Sequence, residues 1–317
     1  MGVKNVTTSC ETIMGNTGFD CFNDFGMPRW FGFVYKSFRL DTTTIAAAKT
    51  ALEAAILANN KRERLYPLSG IVNLTNNDED TVTQTFNTGA VTKVRDGNYS
   101  TQIQWVEGGF CLLYALLKAR GKNTPFFIAT DKGYLIGTQA DGDFMAPIKP
   151  NMVDPKKFGW SDGTAVAMYS VTFNYEPTQI NLNVAFLDFS NDGGLAYFEN
   201  ELTGIQDVTI SQAAPRALGV FNVRAKSSCG AVDLYDTYST ELADITAWVA
   251  TNRITGNVIS PITSVVINAV TKGWTITLPT GNANYSATAG DILIGLAPPT
   301  VLAGLDVVGF ESDKLAQ

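Results

Sequence analysis

Short alternating runs of apolar and polar residues, separated by glycine, asparagine and aspartate, constrain the fold of this chain most strongly. Such runs occupy residues 70–107 and 126–186 and return beyond residue 204, and a period of two is typical of β-strands. One run would place four apolar side chains on a single face: Ile180, Leu182, Val184 and Phe186. The pattern predicts a mainly β protein.

Two segments depart from this pattern and predict helices near residues 42–60 and 110–120. In the first, apolar residues recur at spacings of three and four, and Asp41 or Thr42 is available as the N-cap. In the second, Gly121 is expected to end the helix. The side chains expected to face inward there are Leu113, Leu116 and Leu117. The fold class predicted is therefore a β-sandwich or β-barrel with flanking helices.

The sequence predicts three regions along the chain. Residues 1–40 are rich in glycine and phenylalanine and are interpreted as an N-terminal arm, which either packs on a neighbouring copy or caps its own core. Residues 41–203 form the main β domain. Residues 204–317 show the turn spacing of an immunoglobulin-like β-sandwich. Within that region, residues 207–218 and 291–302 resemble one another, which predicts two matching strand-and-turn edges.

Composition excludes several classes of protein. Hydrophobic residues make up 45% of the 317 residues and charged residues only 17%, a composition typical of surfaces that are buried against other subunits. The net charge of −7 argues against the basic footprint of a nucleic-acid-binding protein. No apolar run is long enough for a membrane span, and the N-terminus lacks a signal-peptide pattern. Cysteines that lack ligand spacing indicate a reducing compartment: Cys10, Cys21, Cys111 and Cys229.

The sequence contains no histidine, no Cys-x-x-Cys pair and no phosphate-binding glycine loop. These absences predict a protein that is not an enzyme and uses no cofactor. The pair Asp141 and Asp143 is interpreted as a turn, because glycosidase carboxylates must face each other across a cleft. A hydrolase that uses Asp188 and Asp192 is the remaining catalytic hypothesis.

A calcium-loop pattern covers residues 188–199. Asp188, Ser190 and Asp192 have the ligand spacing of such a loop, Gly193 stands at the turn position and Glu199 at the twelfth. The preceding residues alternate like a strand, whereas a calcium-binding EF-hand requires an entering helix. An acidic hairpin turn is therefore the favoured interpretation, with calcium binding as the alternative.

The run Asp78-Glu79-Asp80 is a second acidic feature. Runs of like charge are usually solvated loop tips, and this one is interpreted in that way. A cluster of metal ligands over residues 76–80 is the alternative. In a ring-shaped oligomer, the same carboxylates would be candidates for lining the lumen or contributing an assembly loop.

Residues 70–190 resemble a bacteriophage tail tube protein. The features that carry the resemblance are the strands over 82–94, the Asp96-Gly97 hairpin with Tyr99–Trp105, the helix over 110–120, the Asp131-Lys132-Gly133 turn and the closing strands over 166–186. Beyond this region the chain resembles the immunoglobulin-like additions of virion proteins, on the segments Ala214-Pro215, Ala297-Pro298-Pro299 and Gly309-Phe310-Glu311-Ser312.

This resemblance implies a self-assembling subunit of stacked hexameric rings that conduct DNA. Its partners would be itself, other virion proteins and DNA that passes without sequence recognition. Its location would be the virion, assembled in the host bacterial cytoplasm. The helix over 41–60 departs from the simplest tube proteins, so capsid, connector or other virion roles stay open. A carbohydrate-binding β-sandwich is the alternative from another class, with Trp160, Tyr169 and Trp274 as its candidate platform.

Overall fold

The computed structural model describes residues 4–5, 25–95, 97–106, 116–117, 120–156, 158–159, 168–175, 183–227 and 232–316. The chain divides into two compact units. The N-terminal unit runs up to Ile56 and continues over Asn60–Gly204, and the C-terminal unit comprises Ile205–Gln317 together with Leu57–Asn59. The division after Gly204 lies next to the boundary between residues 203 and 204 that the sequence predicts.

The described part of the N-terminal unit consists mostly of strands. They are β1 (Lys4–Asn5), β2 (Pro28–Phe33), β3 (Leu40–Asp41), β4 (Tyr66–Leu68), β5 (Ile71–Asn76), β6 (Val82–Thr85), β7 (Val91–Arg95), β8 (Tyr99–Trp105), β9 (Phe126–Thr130), β10 (Tyr134–Gln139), β11 (Phe144–Ala146), β12 (Met152–Pro155), β13 (Tyr169–Tyr175) and β14 (Val184–Asp188). The helices are α1 (Ile45–Ile56), the short α2 (Gly194–Ala196) and a π-helix over Tyr197–Glu201.

These strands form two sheets and a separate hairpin. The larger sheet has the order β1-β14-β10-β9-β2-β4, and β11 joins it by pairing with β10 and with β3. The second sheet has the order β12-β13-β8-β5. Strands β6 and β7 pair only with each other among the described strands.

Aromatic rings from both sheets form the core between them. Phe31 of β2 stacks on Phe173 of β13 with ring centroids 5.5 Å apart, and Phe126 of β9 lies 4.7 Å from Phe173. All three side chains are fully buried. Facing sheets that share a core in this way form a β-sandwich, so the predicted mainly β fold class is confirmed.

Strand β2 is also buried on its other face. The ring of Trp30 lies 5.3 Å from Phe198 in the π-helix. Beside Phe198, the Tyr197 hydroxyl lies within hydrogen-bond distance of the Lys49 carbonyl oxygen in α1. The part of the predicted N-terminal arm from Pro28 onward therefore belongs to the core of the unit, whereas residues 6–24 lie outside the described residues.

Helix α1 confirms the first predicted helix but begins at a different residue. Its buried side chains have the predicted spacing: Ala48, Leu52, Ala55 and Ile56. The hydroxyl of Thr44 accepts a hydrogen bond from the Ala47 amide, which is the N-cap contact. The prediction of Asp41 or Thr42 as the cap is wrong, because Asp41 accepts from the Thr43 amide and buried Thr42 donates to the Asp143 carbonyl oxygen.

Only the end of the second predicted helix lies within the described residues. Leu116 and Leu117 are helical, with Leu116 buried as expected. Leu117 is exposed, so its predicted inward position is wrong. Gly121 has a φ of +72°, the left-handed conformation that favours glycine after a helix.

The two closing strands of the region 166–186, which the alternating pattern would allow to pair with each other, do not do so. Strand β13 pairs with β8 and β12 in the smaller sheet, whereas β14 pairs with β10 and β1 in the larger one. Alternation along a strand identifies which side chains share a face, but it carries no information about which strand lies alongside.

The C-terminal unit contains eight strands among its described residues. They are β15 (Gln206–Ala217), β16 (Val220–Ser227), β17 (Trp248–Asn252), β18 (Ser264–Asn268), β19 (Gly273–Thr277), β20 (Ile292–Leu296), β21 (Phe310–Ser312) and β22 (Leu315–Ala316). The α-helices are α3 (Leu234–Tyr238) and α4 (Pro299–Ala303), with 3-10 turns over Glu241–Ala243 and Ile245–Ala247.

Two sheets enclose the core of this unit. One has the order β18-β19-β16-β15-β21 and the other the order β17-β20-β22. Trp274 of β19 and Trp248 of β17 meet across the core with ring centroids 5.5 Å apart. The expected match between residues 207–218 and 291–302 is wrong, because β15 continues through Pro215 whereas Pro299 begins helix α4.

Two further predictions concern membrane spans and cysteines. Among the described residues, no helix combines the length and the apolar character that crossing a membrane requires. The four cysteines all lie outside the described residues.

Replacing Phe173 tests the core between the sheets of the N-terminal unit. We expect Phe173→Ala to lower the free energy of unfolding of this unit by about 3–5 kcal/mol, because the rings of Phe31 and Phe126 lose their common contact. Urea denaturation monitored by circular dichroism measures the change. Met152→Ala, at an exposed position of β12, is the control, and equal stability of the two variants would contradict the description of the core.

Candidate assembly surface

The hairpin of β6 and β7 is the most exposed β-structure described in the N-terminal unit. Its register pairs Thr85 with Val91 and Thr83 with Lys93. At the turn, the Phe86 amide donates to the Ala90 carbonyl oxygen over 2.8 Å. Gly89 adopts a φ of +81° there, which lets the chain reverse.

Every strand residue of this hairpin is exposed on both faces. Val91 keeps 62% of its surface exposed, and three more apolar side chains are also open to solvent: Val82, Phe86 and Val94. An isolated two-stranded hairpin is only marginally stable in water, and exposed β-branched and aromatic side chains are typical of surfaces that bind a partner. This hairpin was not predicted from the sequence, because residues 82–94 were interpreted as strands that lead to a turn at Asp96-Gly97. The overlooked pattern is Asn87-Thr88-Gly89 between two β-rich runs.

The predicted hairpin turn at Asp96-Gly97 is wrong. Strand β7, before Gly97, pairs with β6, and β8, after it, belongs to the smaller sheet. Asp96 itself lies outside the described residues. Gly97 lies against the backbone, since a Cβ atom at this position would be only 1.8 Å from the Glu79 carbonyl oxygen.

The acidic segment Asp78-Glu79-Asp80 lies beside this crossing. Asp78 accepts a hydrogen bond from the Ser100 amide over 3.1 Å, and the Glu79 amide donates to the Asn98 carbonyl oxygen over 2.9 Å. A Glu79 carboxylate oxygen lies 3.6 Å from a guanidinium nitrogen of Arg95 at the end of β7. All three acidic residues are exposed, as predicted for a solvated segment. Asp78 and Glu79 are held by the residues that begin β8, so this part of the segment is an ordered base for the hairpin.

An open groove of about 890 Å³ lies between the two sheets of the same unit. Apolar side chains such as Leu74, Ile128 and Ile136 line its walls, and Asp78 contributes to its polar rim. Tyr175 also lines the groove. Burial raises the pKa of the Tyr175 hydroxyl well above its usual value, and the negative charge of Asp78 acts in the same direction. The tyrosine is therefore held in its neutral form.

The calcium-loop residues are not gathered into a metal site. The Asp188 carboxylate accepts a hydrogen bond from the Ser190 amide over 2.9 Å, Asp192 is exposed, and Glu199 lies in the π-helix. Across the described residues, no group of three or more histidine, cysteine, aspartate or glutamate side chains is placed to hold a metal ion. The turn leads from β14 into α2, so the interpretation as a hairpin turn is wrong. The acidic side chains of residues 76–80 are likewise not placed to hold a metal ion.

The alternative sites predicted from the sequence are not assembled either. Tyr169 and Trp274 are buried in the cores of different units, so they cannot form an exposed platform for carbohydrate. Trp160 lies outside the described residues. Asp141 and Asp143 are exposed in the turn that joins β10 to β11, as the turn interpretation predicts.

No protein-family model matches this chain, and no curated protein matches it significantly.

Replacing Gly97 tests the packing at the base of the hairpin. We expect Gly97→Ala to lower the free energy of unfolding by about 1–3 kcal/mol, because the added methyl group must displace the Glu79 backbone. The same shift should expose the hairpin to proteases. Urea denaturation and limited proteolysis measure these effects.

Gly281→Ala is the matched control, because a Cβ atom at Gly281 meets nothing within 4 Å. If the Gly97 and Gly281 variants unfold at the same urea concentration and are cleaved at the same rate, the hairpin base is not packed as described.

Proposed function

We propose that this chain is a self-assembling bacteriophage structural protein, namely a tail tube subunit that forms stacked rings and conducts DNA. A capsid, connector or other virion component is the alternative within the same class. The β6–β7 hairpin is the observation that carries the proposal, and the resemblance of residues 70–190 to tail tube proteins supports it.

The hairpin supports assembly because its apolar side chains are exposed to solvent. Val91 in β7 and Phe86 at the turn are exposed, and the two strands of the hairpin contribute to neither sheet. Burying these side chains against a neighbouring copy would stabilise both the hairpin and the contact. The low fraction of charged residues is compatible with a surface that is largely covered in an assembly.

The charge of the chain supports passage of DNA without tight binding. A conduit with a basic wall would retain phosphates by releasing their counterions, whereas an acidic or neutral wall would not. The net charge is −7, and the carboxylates of Asp78, Glu79 and Asp80 lie at the surface of the N-terminal unit. We therefore assign this acidic segment to the lumen or to a contact beside it.

Negative-stain electron microscopy of the purified chain at high concentration tests the proposal. We expect rings or tubes with an open lumen, independent of added calcium. Closed shells would favour the capsid role. A field of single particles at every concentration would contradict self-assembly of the purified chain.

Changes to the hairpin test whether it makes the contact. We expect Phe86→Ser combined with Val91→Lys to raise the protein concentration needed for assembly by about tenfold or more, because apolar contacts are lost and a charge is introduced. Electron microscopy and sedimentation over a concentration series measure this change. Circular dichroism should show an unchanged fold, since both side chains are exposed.

Val308→Lys is the control, because it adds the same charge at an exposed valine of the C-terminal unit. Assembly of the hairpin variant at the concentration required by the Val308 variant would rule out the hairpin as the contact.

A further inference from the structure

Strand β18 forms an open edge of the C-terminal sandwich. It ends the five-stranded sheet and pairs only with β19 among the described strands. The pairing runs from Ser264 opposite Thr277 to Asn268 opposite Gly273 without a register shift. The row of backbone donors and acceptors on its outer side is available to another strand.

Strand β18 itself carries none of the sequence features that usually protect an edge strand. Natural edge strands carry charged residues, proline or bulges that prevent pairing with another chain. Strand β18 has none of these, and the whole stretch from Ile254 to Thr271 contains no charged residue. At the opposite end of the same sheet, β21 is only three residues long and includes Glu311. The two edges of the sheet therefore differ, and only β18 suits pairing.

Apolar side chains are exposed on both faces of β18. Val266 on the outer face retains 56% of its surface. Ile267 lies opposite the buried Trp274 and therefore points to the core side, yet it is still 40% exposed. Val270, just beyond the strand, is 95% exposed. The core of the unit does not cover this edge.

The smaller sheet does not pair with β18, because the outer side of its own edge strand, β17, is paired with residues 258–259. The Ile259 amide donates to the Ala250 carbonyl oxygen over 2.8 Å, so residues next to Val258 run along the free side of β17. At the other side of the unit, β21 and β22 are separated by only Asp313 and Lys314. Strands β17 and β18 therefore end their sheets on the same side of the unit. Of the two, β18 is the strand whose outer side has no strand paired with it among the described residues.

We propose that β18 binds β18 of a second copy of this chain, antiparallel and edge to edge, across a two-fold axis at Val266. In this register Val265 of one copy lies opposite Ile267 of the other, and Ser264 lies opposite Asn268. Apolar residues thus meet apolar residues and polar residues meet polar ones. The two five-stranded sheets would become one continuous ten-stranded sheet.

The charge of the chain favours a second copy as the occupant. Two molecules of net charge −7 repel each other over most approaches. Residues 254–271 carry no charge, so two copies can meet there without bringing like charges together. This contact lies in the C-terminal unit and does not depend on the β6–β7 hairpin or on the tail tube proposal.

Cysteine cross-linking tests the register of this contact in the full-length chain. Two residues directly opposite each other in an antiparallel pair have Cβ atoms about 4.5–5.5 Å apart, close to the span of a disulfide. We expect Val266→Cys to give a covalent dimer under mild oxidation, seen on a non-reducing gel. Leu218→Cys, at a position that is 69% exposed in the turn between β15 and β16, should give no more dimer than the parent chain with its native cysteines.

Sedimentation tests the strength of the same contact. The parent is the full chain with Phe86→Ser and Val91→Lys, so that hairpin contacts do not contribute. We expect this parent to form dimers and Val266→Lys to weaken them by about tenfold or more, because two like charges would lie directly opposite. Leu218→Lys should sediment like the parent.

Two results would overturn the β18 pairing. One is a parent that stays monomeric at every concentration. The other is equal sedimentation of the parent and its Val266→Lys variant, whatever the cross-linking shows. Neither result affects the hairpin proposal, which is measured by ring or tube formation in the unaltered chain.

Discussion

Burial of strand β2 on both faces is the constraint on which the rest of the N-terminal unit depends. Phe31 points between the two sheets, and its neighbour Trp30 points to the opposite side and packs on Phe198. Gly32 is required beside them, because a Cβ atom there would lie 2.2 Å from the Trp30 ring. One short strand therefore joins the sandwich core to the layer that holds the π-helix. In the larger sheet, β2 lies between β9 and β4.

Much of this fold was predictable, because alternation and helical spacing are local properties. The strand over Tyr99–Trp105, the turn at Asp131-Lys132-Gly133 and the buried face of α1 were all predicted from nearby residues. The pairing of β13 and β14 was not predictable, since the choice of neighbour is made by side chains far away in sequence. Asp96-Gly97 shows the same limit. A dipeptide that favours a sharp change of direction does not reveal whether the chain returns to the same sheet.

The candidate site was predicted less well than the fold. The acidic run at residues 78–80 was identified as exposed, but its hydrogen bonds to the start of β8 involve residues about 20 positions away. The hairpin beside it was missed because Val82, Val91 and Val94 resemble core residues by composition. Only the register shows that both faces of these strands are open. Spacing in the calcium-like loop likewise did not reveal the local turn in which the Asp188 carboxylate accepts a hydrogen bond from the Ser190 amide.

The parallel pairing of β15 with β21 has a consequence for how the C-terminal unit folds. Gln206, at the start of the unit, lies opposite Phe310, so the strand on which the polypeptide enters the unit is held by one of the last strands described in it. Such a contact can form only after the intervening chain has been ordered, so its closure carries a cost in loop entropy. The β15–β21 pair is therefore expected to be among the last parts of this sheet to form during folding.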